Sequence, residues 1–273
     1  TIDSKLQQYG EYLMTGKRGG IIALEPSSGE ILALVTSPSY DPNMMVGRLR
    51  SPNSVKLIGD TINKPMYDRG LKGTYPPGSP FKLVNALIGL QEKVIDENSH
   101  FFCNGGYRYG NRKNEFMKCH CDIYGKPIQL KSAISHSCNS YFANTYKRII
   151  EKNKNSVNGM NNWNTHVKSF GLGNYLGYDL PEGDKGLIPN GDYYNRMYKH
   201  RWNASTNISN AIGQGEVLTT PIQLANVTAA IANRGFFYIP HIVKKIDNQI
   251  ITDSAYTTRK YTTIDEKHFE PII

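Results

Sequence analysis

The sequence predicts an α+β domain in which a large helical part is inserted between strand segments. Three observations carry the prediction. The stretch GIIALEPSSGEILALVTSPSY, residues 20–40, has two nearly continuous apolar runs around a Pro-Ser-Ser-Gly turn, the pattern of a hairpin. Apolar residues recur at helical spacing after Pro80, through residues 127–150, and again after Pro221. An extended pattern returns at residues 236–244, after those helices.

In chain order, Ile2, Leu6, Tyr9 and Leu13 predict an opening helix that ends before Gly19 and Gly20. Strands follow over residues 20–25 and 30–36, and Pro38 stops the second. Their even apolarity reads as the centre of a sheet covered on both faces. Residues 37–70 read as mostly irregular, a long excursion that delivers the chain to GTYPPGSPFK. There Pro76, Pro77 and Gly78 make a rigid turn, Ser79 reads as an N-cap and Pro80 as the first residue of a core helix running to Gln91. A second helix is expected from Pro127 to Ile150, with Ser137-Cys138-Asn139 as a point of bending inside it. Residues 151–164 read as an Asn-rich loop, 165–173 as a short helix, and 177–205 as a surface-laid segment without periodicity. Gly213-Gln214-Gly215 reads as a turn, and Thr220 and Pro221 as N-cap and first residue of a helix ended by Asn233 and Gly235. Residues 247–262 read as a hairpin or mobile segment, and the final FEPII as a lead into another element. There are no repeats, and the expectation is one domain over 1–273, with a helical subdomain and cysteine-bearing insert over about 73–205.

Composition narrows the function. The chain has 273 residues with 32 Lys+Arg against 23 Asp+Glu, a formal charge of +9, and 39% apolar residues. Its pI near 9.2 and mean hydropathy of −0.48 are those of a globular chain suited to an anionic polymer or surface. The basic residues are scattered and form no nucleic-acid module, so no nucleic-acid partner is expected. No run is long enough for a membrane span and no signal peptide is visible. The start at Thr1 rather than Met reads as a processed chain or a fragment.

Two groups of residues carry chemistry. Lys82 stands three residues after Ser79, in the first helical turn and on the same face. A cation is disfavoured at that end of a helix, and shielding from water would push it toward its neutral form. A neutral lysine beside a serine hydroxyl is a general base beside a nucleophile. Ser-x-x-Lys also occurs by chance, as an ordinary cap and a solvated lysine. The second group is Cys103, Cys119, His120 and Cys121, which offers zinc ligands, a disulfide from Cys103 to Cys119 or Cys121, or free thiols. Cys138 reads as separate, packed on its helix.

TIDSKLQ, GGIIALEPSSGEILALVTSPSYDPN, YPPGSPFK, SCNSYFANTY and GQGEVLTTPIQLANVTAAIANRG occur in that order. The ordered set resembles the transpeptidase domain of class B penicillin-binding proteins, the elongation-type branch in particular. The resemblance implies the penicillin-binding-protein/β-lactamase-like fold, a five-stranded antiparallel sheet flanked by helices. It implies Ser79 as acylated nucleophile, Lys82 as its base, Ser137 as a proton bridge and Asn139 as a holder of the substrate amide and of Lys82. The implied function is peptidoglycan cross-linking from D-Ala-D-Ala stem peptides through an acyl-enzyme, inhibited by β-lactam antibiotics. A β-lactam sensor, a β-lactamase-like protein or an inactive cell-wall scaffold on the same fold are the rivals. No cofactor is required by that chemistry; a structural zinc at the cysteines is open. The family implies a membrane glycosyltransferase and elongation-complex proteins as partners, a membrane anchor and pedestal, and a periplasmic catalytic domain at the inner membrane. The family's Lys-Thr/Ser-Gly motif is absent, Lys260-Tyr261-Thr262 being the nearest imitation. The expected fold is therefore incomplete at the C-terminus, and the fragment alone is expected to be inactive.

Overall fold

Asp3 begins the fold by accepting from the backbone N–H groups of Lys5 and Leu6, which caps α1 (Ser4–Leu13). The computed structural model describes residues 1–152, 155–181 and 183–273. The expected hairpin forms: β1 (Gly19–Leu24) pairs antiparallel with β2 (Ile31–Ser37). Burial alternates along β2, with Ile31, Ala33 and Val35 turned inward, while β1 is half-buried throughout. The even apolarity therefore overstated the cover, because helices shield these strands only in part.

Residues 37–70 are more ordered than their composition suggested. They hold a 3-10 turn, Pro42–Met45, and α2 (Arg50–Gly59), whose Pro52 lies in the first turn where a missing N–H is harmless. Then come α3 (Phe81–Gln91) and an insert of four short strands: β3 (His100–Phe102), β4 (Gly106–Arg108), β5 (Phe116–Lys118) and β6 (Pro127–Gln129). In the insert β3 pairs with β6 and β4 with β5, all antiparallel. The single helix expected over 127–150 is thus a strand, then α4 (Leu130–Ser135), then α5 (Asn139–Glu151). The break falls at the residues flagged as a bend, with Ser137 in the left-handed region at φ 50°.

Beyond α5 the loop reading of 151–164 is corrected. Asn155 caps α6 (Ser156–Ser169), which buries Met160, Trp163 and Val167. That three-to-four spacing is a helix face whose signal the asparagines masked. Asn153 and Lys154, part of the same reading, lie outside the described residues, as does Glu182 of the 177–205 segment. That segment also contains α7 (Gly191–Tyr198), capped by Asn190 and anchored by the buried Tyr194. A 3-10 turn, Ile208–Ile212, precedes α8 (Pro221–Ala232), where Thr220 and Gln223 form a full capping box.

The extended run after α8 pairs only briefly. Strand β7 (Phe236–Phe237) is short, and Pro240, lacking an N–H, stands before a single bridge from His241 to Glu30. A small hairpin, β8 (Lys245–Ile246) with β9 (Gln249–Ile250), leads through α9 (Ser254–Thr257) to β10 (Lys260–Tyr261), which pairs with β7. FEPII folds as 3-10 turns with Phe269 and Ile272 buried. The described residues hold five two-stranded antiparallel sheets in place of the one five-stranded sheet expected.

The core is built on α3, which is buried from Phe81 to Leu90 except at the half-buried Leu83. Trp163 meets Phe81 and Tyr146 edge-on and donates its indole N–H to Asn85 at 2.8 Å. Asn85 in turn donates to the carbonyls of Asn210 and Ala211. The Gly78 N–H donates to the Gly213 carbonyl at 2.8 Å. Gly213, at φ 65°, has no room for a Cβ against the Gly78 backbone. The Gly-Gln-Gly turn and the Pro-Pro-Gly turn are thereby locked together, fixing where α3 begins.

Candidate active site

Ser79 does not cap α3. Pro80 occupies the capping position without a side-chain bond, and the Lys82 N–H reaches back to the Ser79 carbonyl at 3.0 Å. The Ser79 hydroxyl is therefore free of its own helix. It accepts from the Ser137 hydroxyl at 2.9 Å.

Lys82 is 3% exposed, on the buried side of the first turn. Its Nζ donates to the Ser137 Oγ at 2.8 Å, the Ser137 carbonyl at 2.7 Å and Asn139 Oδ1 at 2.6 Å. The Phe142 ring lies 5.8 Å from Nζ. Removal from water pushes the Lys82 pKa below its ordinary value, against the opposing charge of the nearby Cys119, Cys138 and Cys121 thiols. The four residues singled out in the sequence thus form one polar chain, Asn139–Lys82–Ser137–Ser79, assembled from α3 and the turn between α4 and α5. The left-handed φ of Ser137 turns both its hydroxyl and its carbonyl to the same lysine. Asn139 is steadied on its other side, donating Nδ2 to the Lys118 carbonyl at 2.8 Å. Gln214 lies in the turn behind Gly78, and Lys260-Tyr261-Thr262 lies in and after β10, against β7.

The cysteines correct two expectations. Cys138 is not separate: its thiol joins those of Cys103, Cys119 and Cys121, all four sulfurs lying within 4.8 Å of one another. His120, exposed, is not one of the converging groups. All four are free cysteines, with sulfur separations of 3.2, 3.5 and 3.8 Å along the Cys119–Cys121, Cys121–Cys103 and Cys119–Cys138 pairs. A tetrahedral zinc site with Zn–S of about 2.3 Å has edges of about 3.8 Å, so the donor set fits zinc. Cys119 accepts from the Asn139 N–H at 3.2 Å and Cys138 from the Tyr141 N–H at 3.4 Å, bonds that favour thiolates. The contact between the Cys119 and Cys138 thiols pulls the Cys119 pKa well down and pushes that of Cys138 up. The place of Cys138 between Ser137 and Asn139 is the sequence signal that its buried thiol belongs to the turn carrying those residues.

A family model described as the penicillin binding protein transpeptidase domain matches residues 19–272. The peptidoglycan D,D-transpeptidase MrdA of Acinetobacter baumannii is 35% identical over 244 residues, which are 89% of this chain and 35% of that protein. The chain thus spans about a third of the length of that relative. The crystal structure of Pseudomonas aeruginosa PBP2 in complex with WCK 5153 superposes with a TM-score of 0.84 at 33% identity, over 99% of this chain and 59% of that one. The complex between PBP2 and MreC from Helicobacter pylori gives a TM-score of 0.83 at 25% identity, over 100% of this chain and 47% of that one.

Proposed function

The chain belongs to the penicillin-binding-protein transpeptidase family, and from that premise we propose that it is the acyl-transferring unit of an elongation-type, class B peptidoglycan D,D-transpeptidase. The observation that carries this reading is the hydrogen-bonded path from an exposed serine hydroxyl to a desolvated lysine. A neutral lysine has two N–H bonds and one lone pair. The Ser137 carbonyl and Asn139 Oδ1 take the two N–H bonds, which leaves the lone pair for the Ser137 hydroxyl. That hydroxyl then accepts from Ser79, and both contacts, 2.8 and 2.9 Å, suit either direction of donation.

The reaction follows from this path. As the Ser79 oxygen attacks the carbonyl of the penultimate D-Ala, its proton passes to Ser137, whose own proton passes to Lys82. The Ser79 N–H has no partner among the described residues and is one donor for the developing oxyanion. The tetrahedral intermediate expels the terminal D-Ala, whose nitrogen takes the proton back through Ser137. An amine of a second stem peptide then attacks the ester, gives up its proton along the same path, and restores Ser79. A β-lactam opens on Ser79 in the same way, but its leaving nitrogen stays tethered and the ester persists. Cys103, Cys119, Cys121 and Cys138 would hold a zinc ion. A four-thiolate site is closed and structural. It would tie the insert to the turn that carries Ser137 and Asn139.

The relatives support a wider setting for the whole protein: an envelope location at the membrane, and an MreC-type elongation partner. No helix among the described residues is long and apolar enough to cross a membrane. The decisive experiment incubates the complete protein, of which these 273 residues are part, with a fluorescent penicillin and maps the adduct by mass spectrometry. Stable label on Ser79, lost in Ser79→Ala, is the expected result. Absence of label on Ser79 sinks the reading, and a rapidly hydrolysed adduct points to a β-lactamase instead.

A further inference from the structure

The hairpin of β4 and β5 has two unlike faces. Tyr107 and Met117 are opposite one another in the ladder and turn to the core beside α5. On the other face Gly106 stands opposite Lys118, and Arg108 opposite Phe116. The Arg108 guanidinium lies 5.4 Å from the centre of the Phe116 ring. Both cations are exposed, and side chains two residues apart on a strand stand about 7 Å apart. Neither forms an ion pair with a carboxylate among the described residues. The hairpin's own acid, Glu115, is turned to the Arg112 N–H at 2.8 Å. The Arg108 guanidinium donates to the Arg112 carbonyl at 3.3 Å, so the result is an aromatic ring flanked by two cations that have no carboxylate partner among the described residues, with bare glycine backbone opposite Lys118.

This platform starts at the active site, since the Lys118 carbonyl is the acceptor that steadies Asn139. On the transpeptidase reading Asn139 holds the donor amide, and the β5 backbone at Lys118 is its direct hydrogen-bonded neighbour. Resting on the transpeptidase reading above, we propose that Lys118, assisted by Arg108, is a specificity-determining residue. It recognises a free carboxylate on the donor stem peptide, N-terminal to the D-Ala-D-Ala unit. The cleft therefore prefers stem peptides whose side-chain or α-carboxyl groups are ionised over those in which they are amidated. The attraction is exposed to solvent, which limits it to about fivefold and makes it fade with added salt.

The test uses the complete protein and two synthetic donors ending in D-Ala-D-Ala, identical except that one carries a free carboxyl and the other its carboxamide. The readout is the ratio of their kcat/KM values for D-Ala release. Parallel penicillin labelling of Ser79 reports that the acylation path is intact. The expected result is a preference of about fivefold for the acid, reduced to near one in Lys118→Gln, retained in Lys118→Arg, and weakened in Arg108→Gln. An unchanged ratio in a Lys118→Gln protein that still labels overturns the proposal alone. Failure of the unaltered protein to label at Ser79 overturns the transpeptidase reading, and this proposal with it.

Discussion

Ser137 holds φ at 50°, a region that side chains with a Cβ enter at a cost of about 1 kcal/mol or more. The strain sits where the chemistry needs it, because this one conformation gives Lys82 a carbonyl and a hydroxyl together and still leaves the hydroxyl facing Ser79. Two replacements separate strain from function. Ser137→Gly keeps the backbone conformation without strain, while Ser137→Val adds a branched Cβ to it. Thermal unfolding is expected to show the valine variant less stable than the glycine variant by about 2 kcal/mol. Both lose penicillin labelling by about 100-fold, since neither can pass a proton. Equal stability of the two would mean that the left-handed turn stores no strain. The Ser79–Lys82 pair was legible in the sequence because it is local, three residues within one turn. The role proposed for Ser137 as bridge is implied by the resemblance of the ordered motifs, since no spacing rule joins residues this far apart.

At the scale of elements, α3 is the piece that the others hold. Its far end is fixed by Glu92, which receives Lys152 at 2.7 Å and binds His166 of α6 at 3.0 Å. His166 also contacts Thr263 at 2.6 Å, so α3, α5, α6 and the C-terminal segment meet there. Burial alone would raise the Glu92 pKa, but the bonds from Lys152, Asn162 and His166 outweigh it and hold the group at about 2, against an ordinary 4.5. A carboxylate lowered on folding stabilises fully above its unfolded value, and the gain is lost as pH falls through 4.5 toward 2. Melting curves across that window should lose up to about 3 kcal/mol from this group, and Glu92→Gln should flatten that part of the profile. An unchanged profile in the variant would show that the junction is not the acid-sensitive one. The elements that sequence revealed were those with local punctuation, such as Thr220-Pro221 with Gln223 completing the capping box. In α6 the same kind of start, Asn155, was hidden among other asparagines, and the Met160–Trp163–Val167 stripe was too sparse to stand out. Strand pairing was the least legible, because β3 and β6, or β7 and β10, pair across long intervening segments and no tight-turn signal joins them.

For the molecule as a whole, the cysteine cluster joins what the sequence keeps apart. Cys103, Cys119 and Cys121 belong to the insert and Cys138 to the active-site turn, and no spacing rule announced that convergence. Elemental analysis is expected to give one zinc per chain, and removal by a strong chelator to lower both the melting temperature and the rate of penicillin labelling, with zinc restoring both. A metal-free protein with unaltered labelling would confine the thiols to packing. The polar chain has a last consequence. On the proposed mechanism Ser79 is activated by contacts that bridge 55 and 58 residues of sequence, so an unfolded or misassembled chain would offer only an ordinary serine. On that reading a covalent antibiotic would work as a census-taker: the labelled fraction of any preparation would count the correctly folded molecules, one mark to each.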